Sequence, residues 1–599
     1  MTGQLNRVDV TVLPAGWTDL TSGSLHSEVS GCWSPTLSPD GRHAAYVSDR
    51  SGCPKVWVQP VGSELTFLVD TGDAPVASVH WSTGGGWLAC ELAPGGAPRH
   101  ELWLVRPDGS ALHQIAGFGG DNADNVRWLP GRSLLIVTEN LTSTYVVDVE
   151  AGTRELVAEG ELIALLDVSP DHARALLRLG PRGGRYLVVR DLQTGVDEYL
   201  TSGEQGCFGP DGRTVYARSD AGEYPILIKV LDRGVEVLAA SETAEVESFA
   251  LTPSGNQIAV LWNQRGGLSE LVLLTPIGAR VVERLPGGVL SGPAWSADGS
   301  TLTFTAEGPG QPHGVWTLDD LGLHVVSGVP AAPGANRPTL ASFAAHDGLE
   351  LTGWLFRPAT TGPHPVVLWF HGGPEAQERP GHGPLFQSLV DRGIAVFAAN
   401  VRGSSGFGRS FVNADNGPLR YAAIADVRSC VEHLVATGVA DPARVGVMGR
   451  SYGGYLTLAA LTTYPELFAV GIDVCGMSNF ATFYRYTEPW IASAAVAKYG
   501  DPVADADLLY DLSPLTRIDR LRAPLMVVHG ENDSNVPVIE AEQVVAALAE
   551  RGVEHRYLLF PDEGHELLHR SSRAEFLRET VDWLTSHLLE PARLGEPRD

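Results

Sequence analysis

Gly449-Arg450-Ser451-Tyr452-Gly453-Gly454-Tyr455 follows the apolar run Val445-Gly446-Val447-Met448 and leads into Leu456-Thr457-Leu458-Ala459-Ala460, a good helix former. Strand, tight turn and helix in that order put a G-x-S-x-G pattern at the turn. In a nucleophile elbow the serine takes a strained backbone conformation that only small neighbours tolerate. That geometry lifts the Ser451 hydroxyl above a sheet edge and turns the first N–H groups of the helix toward any negative charge developing there. The same pattern occurs in ordinary glycine-rich turns, so the rest of the chain must supply a nucleophile's partners.

A serine hydroxyl is a poor nucleophile at neutral pH. It needs a base, and the base needs an orienting carboxylate. In α/β-hydrolases these follow in the order Ser, acid, His, each at the C-terminal end of a strand. Leu525-Met526-Val527-Val528-His529-Gly530 reads as a buried strand, with Asp533 just past it. Arg556-Tyr557-Leu558-Leu559-Phe560 reads as the next, followed by Pro561-Asp562-Glu563-Gly564-His565. A solvated loop aspartate and a surface histidine are the plain alternatives; order, strand-end placement and elbow together favour a triad of Ser451, Asp533 and His565. An oxyanion hole needs two donors. The backbone N–H of Tyr452 is one. The other is expected from Gly373, in the His371-Gly372-Gly373-Pro374 loop that follows the strand Val366 to Phe370.

Around this centre, strands such as Pro365–Phe370 and Ile394–Ala399 alternate with helical stretches such as 422–436 and 538–550. That alternation predicts a mainly parallel sheet covered on both faces. A Pro/Gly/Ala linker over 326–340 separates it from a different pattern. From about residue 30 to 325 a turn recurs seven times, for example Leu37-Ser38-Pro39-Asp40-Gly41, Val168-Ser169-Pro170-Asp171 and Trp295-Ser296-Ala297-Asp298-Gly299, and alternating strands follow each copy. A repeat of about 40–50 residues built of strands signals a β-propeller. An open solenoid is the alternative, disfavoured by period-two strands without helices.

The composition narrows the function classes. The chain has 599 residues, 44% of them apolar, and a formal charge of −28 from 43 basic and 71 acidic side chains. A field of that sign repels phosphate backbones and argues against nucleic-acid binding. No signal peptide or membrane-spanning run is legible, and the six cysteines show neither metal spacing nor a disulfide framework, so a reducing cytoplasm is expected. His565-Glu566-Leu567-Leu568-His569 matches the zinc motif H-E-x-x-H, which requires both histidines on one helical face. Pro561 and Gly564 favour a loop instead, so neither metal nor cofactor is expected.

Taken together, the Ser451 elbow, His371-Gly372-Gly373-Pro374, Asn400-Val401-Arg402-Gly403-Ser404-Ser405-Gly406-Phe407-Gly408 and the Asp533 and His565 loops resemble the prolyl oligopeptidase family, nearest its acylaminoacyl-peptidase/dipeptidyl-aminopeptidase branch. The resemblance covers roughly 340–590. It implies a multidomain β plus α/β fold, a seven-bladed β-propeller (26–328) followed by a C-terminal α/β-hydrolase domain (329–590). It also implies an N-terminal segment (1–25) packing on the hydrolase, with a tail at 591–599. In the family the propeller caps the active site and admits only short peptides or small amides.

Many members carry Arg two residues after the acid, contacting a substrate carbonyl; this chain has Asn535, as dipeptidyl-peptidase IV-like members do. Those members anchor the substrate amine on adjacent glutamates, and no Glu-Glu pair occurs here. The family's specificity pocket corresponds to 479–491, where Phe480, Phe483, Tyr484 and Trp490 predict an apolar or aromatic substrate side chain. The expected function is a serine peptidase acting on short peptides as an aminoacyl or acylaminoacyl exopeptidase. A hydrolase of small non-peptide amides or esters, and a propeller-based binding protein, are the alternatives. No nucleic-acid or membrane partner is expected, and a homo-oligomer stays open.

Overall fold

The computed structural model describes residues 30–131, 133–231 and 234–589. The 1–25 segment and the 591–599 tail lie outside the described residues. Contacts divide the chain into two compact units. One comprises 30–95, 99–264 and 269–331; the other comprises Gly96–Pro98, Arg265–Leu268 and 332–589.

The first unit is a β-propeller of antiparallel meanders. Five sheets have four strands each, and a sixth has seven. In the sixth, the twelve-residue strand Asp197–Phe208 pairs through residues 197–202 with Tyr186–Asp191, and through residues 203–208 with Val215–Ser219. The recurring turn has one construction. Ser38 donates to Asp40 Oδ1 at 2.6 Å while the N–H of His43 donates back to the Ser38 hydroxyl at 3.0 Å. Ser169, Asp171 and Arg174 repeat this at 2.5 and 3.0 Å, and Ser296, Asp298 and Thr301 at 2.6 and 3.0 Å. A short side chain that satisfies turn N–H groups is why Ser-x-Asp recurs there. Apolar clusters fill the gaps between consecutive sheets, as where Ala45, Val47, Val79, Trp81 and Leu88 meet. The last sheet packs on the first through Cys32, Tyr46, Trp57, Val315 and Val326, so the array closes on itself.

The second unit is an eight-stranded sheet. Its strands are β1 (Thr339–Ala344), β2 (Glu350–Phe356), β3 (His364–Phe370), β4 (Ala395–Asn400), β5 (Ala440–Arg450), β6 (Val470–Val474), β7 (Leu525–Gly530) and β8 (His555–Phe560). Their spatial order is β1-β2-β4-β3-β5-β6-β7-β8; the first two pairings are antiparallel and the rest parallel. Helices cover the sheet, among them α1 (Arg420–Ala436), α2 (Tyr452–Thr463), α3 (Ile539–Glu550) and α4 (Arg570–Leu588). β4 and β7 are buried at every position, which explains why apolar residues run through them, apart from Asn400 and His529, in place of alternation. α2 is buried around most of its circumference, as an all-apolar helix must be. It approaches β3 so closely that a Cβ on Gly453 would lie 1.9 Å from the Phe370 carbonyl oxygen. Only glycine fits there.

Candidate active site

The C-terminal ends of β3, β5, β6, β7 and β8 carry the residues of interest, where open α/β sheets bind their ligands. Ser451 sits between β5 and α2 at φ 56°, ψ −115°. For a residue with a side chain that conformation costs on the order of 1–3 kcal/mol. Its neighbours hold it: the Ser451 N–H donates to the Val474 carbonyl at 2.8 Å, and its carbonyl accepts from Tyr455 N–H at 3.0 Å.

Loops after β7 and β8 bring the other two residues to it. His565 Nε2 lies 3.1 Å from Ser451 Oγ, and Nδ1 lies 2.7 Å from Asp533 Oδ2. The other Asp533 oxygen, Oδ1, accepts the N–H groups of Asn535 and Val536, each at 2.9 Å. Burial works against a charge on Asp533, but the facing His565 and these bonds outweigh it and hold the carboxyl below its ordinary range. Burial also disfavours an imidazolium at His565; the Cys475 sulfur and the Asp533 carboxylate overcome it, so His565 holds its proton above the usual imidazole range. Behind Asp533, His529 Nε2 lies 2.8 Å from the Val536 carbonyl and 3.5 Å from Asp533 Oδ2. Burial lowers the His529 pKa, so the ring is a neutral N–H donor.

The remaining expected residues fall as follows. Tyr452 is the first residue of α2, where backbone N–H groups have no partner within the helix. Its hydroxyl is occupied elsewhere, accepting from the fully buried Arg420 at 2.6 Å. A Cβ on Gly372 would lie 3.4 Å from Ser451 Cβ, and Gly373 follows at φ 123°. The loop after β3 therefore borders the nucleophile. Asn535 is held by its backbone, its N–H on Asp533 and its carbonyl accepting from the Thr487 hydroxyl at 2.7 Å. Phe480 and Phe483, 1% and 2% exposed, pack into the domain core; the Phe480 ring lies 4.9 Å from Tyr499 and 5.3 Å from Tyr455. Tyr484 and Trp490 are partly exposed, and the Tyr484 hydroxyl donates to the Gly500 carbonyl at 2.8 Å.

His565–His569 is not helical; α4 begins at Arg570. His569 Nδ1 lies 3.1 Å from Glu563, whose carboxylate also accepts the N–H groups of Leu568 and His569 at 2.8 and 2.9 Å. The zinc motif therefore lacks the helix that would align its histidines.

Three supports escaped sequence reasoning. Arg450, the variable residue before the serine, donates to the His565 carbonyl and pairs with Glu566 at 2.6 Å, tying the histidine loop to the elbow. Buried Glu540 accepts the N–H groups of Ser478 and Asn479, each at 2.8 Å, and fixes the start of the aromatic helix Phe480–Tyr486. Cys475 follows β6 at φ 43°, 3% exposed, beside His565 and Asp533. Only its position at a strand end hinted at it.

Residues 384–590 match the prolyl oligopeptidase family. The chain is 27% identical over 611 residues to dipeptidyl aminopeptidase BIII of Pseudoxanthomonas mexicana, covering 92% of this chain and 86% of that protein. It is 29% identical over 234 residues to acylamino-acid-releasing enzyme 2 of Oryza sativa subsp. japonica, covering 37% of this chain and 30% of that one. Its fold matches the crystal structure of a puromycin hydrolase with a TM-score of 0.81 at 19% identity, over 94% of this chain and 96% of the other. The C-terminal unit, with Ser451, Asp533 and His565 inside the matched residues, is thus similar to the prolyl oligopeptidase family of serine-type peptidases.

Proposed function

We propose that this chain cleaves short peptides as an aminoacyl or acylaminoacyl exopeptidase, through an acyl-enzyme on Ser451. The unbroken hydrogen-bonded sequence Ser451–His565–Asp533 carries the proposal. His565 Nε2 accepts the Ser451 proton as Oγ attacks the substrate carbonyl, then delivers it to the departing amine; a water molecule repeats the cycle on the ester. Asp533 keeps the remaining proton on Nδ1 and stabilises the imidazolium. The N–H groups of Tyr452 and Gly373 receive the tetrahedral oxyanion. Trp490 and Tyr484 offer the aromatic surface of the specificity pocket, with Phe480 and Phe483 behind them, and Asn535 contacts a substrate carbonyl.

The exopeptidase reading is supported by the match to a dipeptidyl aminopeptidase along 92% of the chain. The same proposal extends to the propeller: it has seven blades, two of them sharing the strand Asp197–Phe208, and it limits substrates to short peptides. Among the described residues no helix is long and apolar enough to cross a membrane. All six cysteines are free, which supports a reducing, cytoplasmic setting.

The test compares aminoacyl and acyl-aminoacyl anilides with simple aryl amides and esters and with folded proteins. The anilides should turn over and folded proteins should not, and Ser451→Ala should abolish both turnover and fluorophosphonate labelling. Preference for simple aryl esters would move the function to small-molecule hydrolysis, and turnover by Ser451→Ala would end the proposal.

A further inference from the structure

Cys475, Asp533 and His565 each offer a donor atom, and these atoms lie within 4.8 Å of one another. Proton transfer as proposed runs through two of the three; the thiol stands beside them and takes no proton in the relay. Sulfur, imidazole nitrogen and carboxylate oxygen together form the donor set that zinc and its heavier congener cadmium prefer over calcium or magnesium. Cys475 is held in a left-handed conformation, φ 43°, that a residue with a side chain rarely takes. Its N–H donates to the Val528 carbonyl at 2.8 Å, so it is pinned between the ends of β6 and β7 with its sulfur beside the triad. Cys475 and Asp533 are buried, while the His565 side chain keeps 13% of its surface accessible.

We propose that Cys475, Asp533 and His565 form a binding site for Zn2+ or Cd2+, and that occupation reversibly switches the hydrolase off. The thiol gives up its proton to solvent and binds as thiolate. His565 binds through Nδ1, the nitrogen that faces Asp533, and the Nδ1 proton moves to Nε2. No electrons are transferred; one proton leaves per cation when His565 starts neutral, and the Nδ1 proton leaves as a second when it starts as imidazolium. With Nε2 protonated and its lone pair gone, His565 cannot accept the Ser451 proton. The switch is thus a change of tautomer enforced by a ligand.

The site shares His565 with the proposed relay, so the experiment reads binding separately from turnover. The full-length protein is titrated with CdCl2 while the ultraviolet sulfur-to-cadmium charge-transfer band is followed, and the rate of fluorophosphonate labelling of Ser451 is measured in parallel. Cd2+ and Zn2+ should suppress labelling, EDTA should restore it, and Ca2+ at equal concentration should do nothing. Cys475→Ser keeps the Ser451–His565–Asp533 contacts, and its labelling under each cation is read against its own metal-free rate. It should need at least about tenfold more cation for the same suppression, since loss of even an outer-shell partner costs that much. The Cys475-dependent part of the band should vanish in Cys475→Ser and weaken in His565→Ala. Equal sensitivity of Cys475→Ser and the unmodified protein, an unchanged band, or equal suppression by Ca2+ would each overturn the site. Absence of peptide turnover would overturn the peptidase reading and leave the band intact. Cys475→Ala with a thermal midpoint serves as the second variant should serine disturb the fold.

Discussion

Replacing Asp533 with asparagine should disable the chemistry while leaving the fold in place, and the structure says why. Asp533 Oδ1 accepts two backbone N–H groups, from Asn535 and Val536, each at 2.9 Å. An asparagine keeps its carbonyl oxygen there, because its amide nitrogen cannot accept from either. Its NH2 group is therefore forced toward His565 Nδ1. The ring must then accept at Nδ1 and carry its proton on Nε2, the nitrogen 3.1 Å from Ser451 Oγ. A proton occupies the position that should receive one. Asparagine also lacks the charge that steadies the imidazolium. Opposite charges centred about 4 Å apart attract by about 4 kcal/mol at an effective dielectric of about 20, or about a thousandfold in rate. With the tautomer effect added, kcat should fall about 10³- to 10⁴-fold. KM should change little, and the urea midpoint should stay close to that of the unmodified protein. The assay is steady-state turnover of the best anilide, with denaturation run alongside. A loss of less than about tenfold in a folded variant would refute the role assigned to Asp533.

Further outcomes follow from other contacts. A Cβ on Gly372 would make ordinary contact with Ser451 Cβ at 3.4 Å, whereas one on Gly453 would stand 1.9 Å from the Phe370 oxygen. Gly372→Ala should therefore fold normally but lose at least about tenfold in rate, its methyl crowding the approach to Oγ. Gly453→Ala should lose about 3 kcal/mol or more of stability, read from the urea midpoint. Because His565 holds its proton above the usual imidazole range and must be neutral to act, the rate should climb with pH and reach half-maximum above about 6.5. Asp533→Asn should move that limb to lower pH, and a limb that stays put would contradict the assignment. Glu540→Leu should cost about 3 kcal/mol by leaving the N–H groups of Ser478 and Asn479 buried and unpaired. Glu540→Gln should cost under about 1 kcal/mol, both measured by denaturant unfolding.

The catalytic strands were legible because each is an apolar run ending in a polar turn. Leu525–Gly530 is read to the residue, and His565 follows a strand that begins only one position earlier than the pattern indicates. The propeller turns were legible for a chemical reason, the Ser-to-Asp bond that recurs at Ser38, Ser169 and Ser296. Non-local facts were not legible. Nothing near Cys475 in sequence announces that β6 lies beside β7, yet that adjacency brings its sulfur to Asp533. Ring density in 479–491 suggested a pocket, but only the helix packing on Tyr455 and Tyr499 reveals Phe480 and Phe483 as core. α1 starts at Arg420, two residues before the helical pattern, because that arginine is drawn inside by Asp415 and the rings of Tyr452 and Tyr499. The strand Asp197–Phe208 runs unbroken through Gly203 and Gly206, which the recurring turn pattern does not indicate.

That strand ties the fate of two halves of the seven-stranded sheet together. Residues 197–202 form the outer edge of one meander and residues 203–208 open the next, with no loop between them to absorb a disturbance. Fraying that begins at the outer edge can thus run along a continuous backbone into the inner strand of its neighbour, where elsewhere a turn would stop it. The two meanders should open as one cooperative block, with the amides of Val188 and Ala217 exchanging with solvent in concert, while sheets joined by ordinary turns exchange independently.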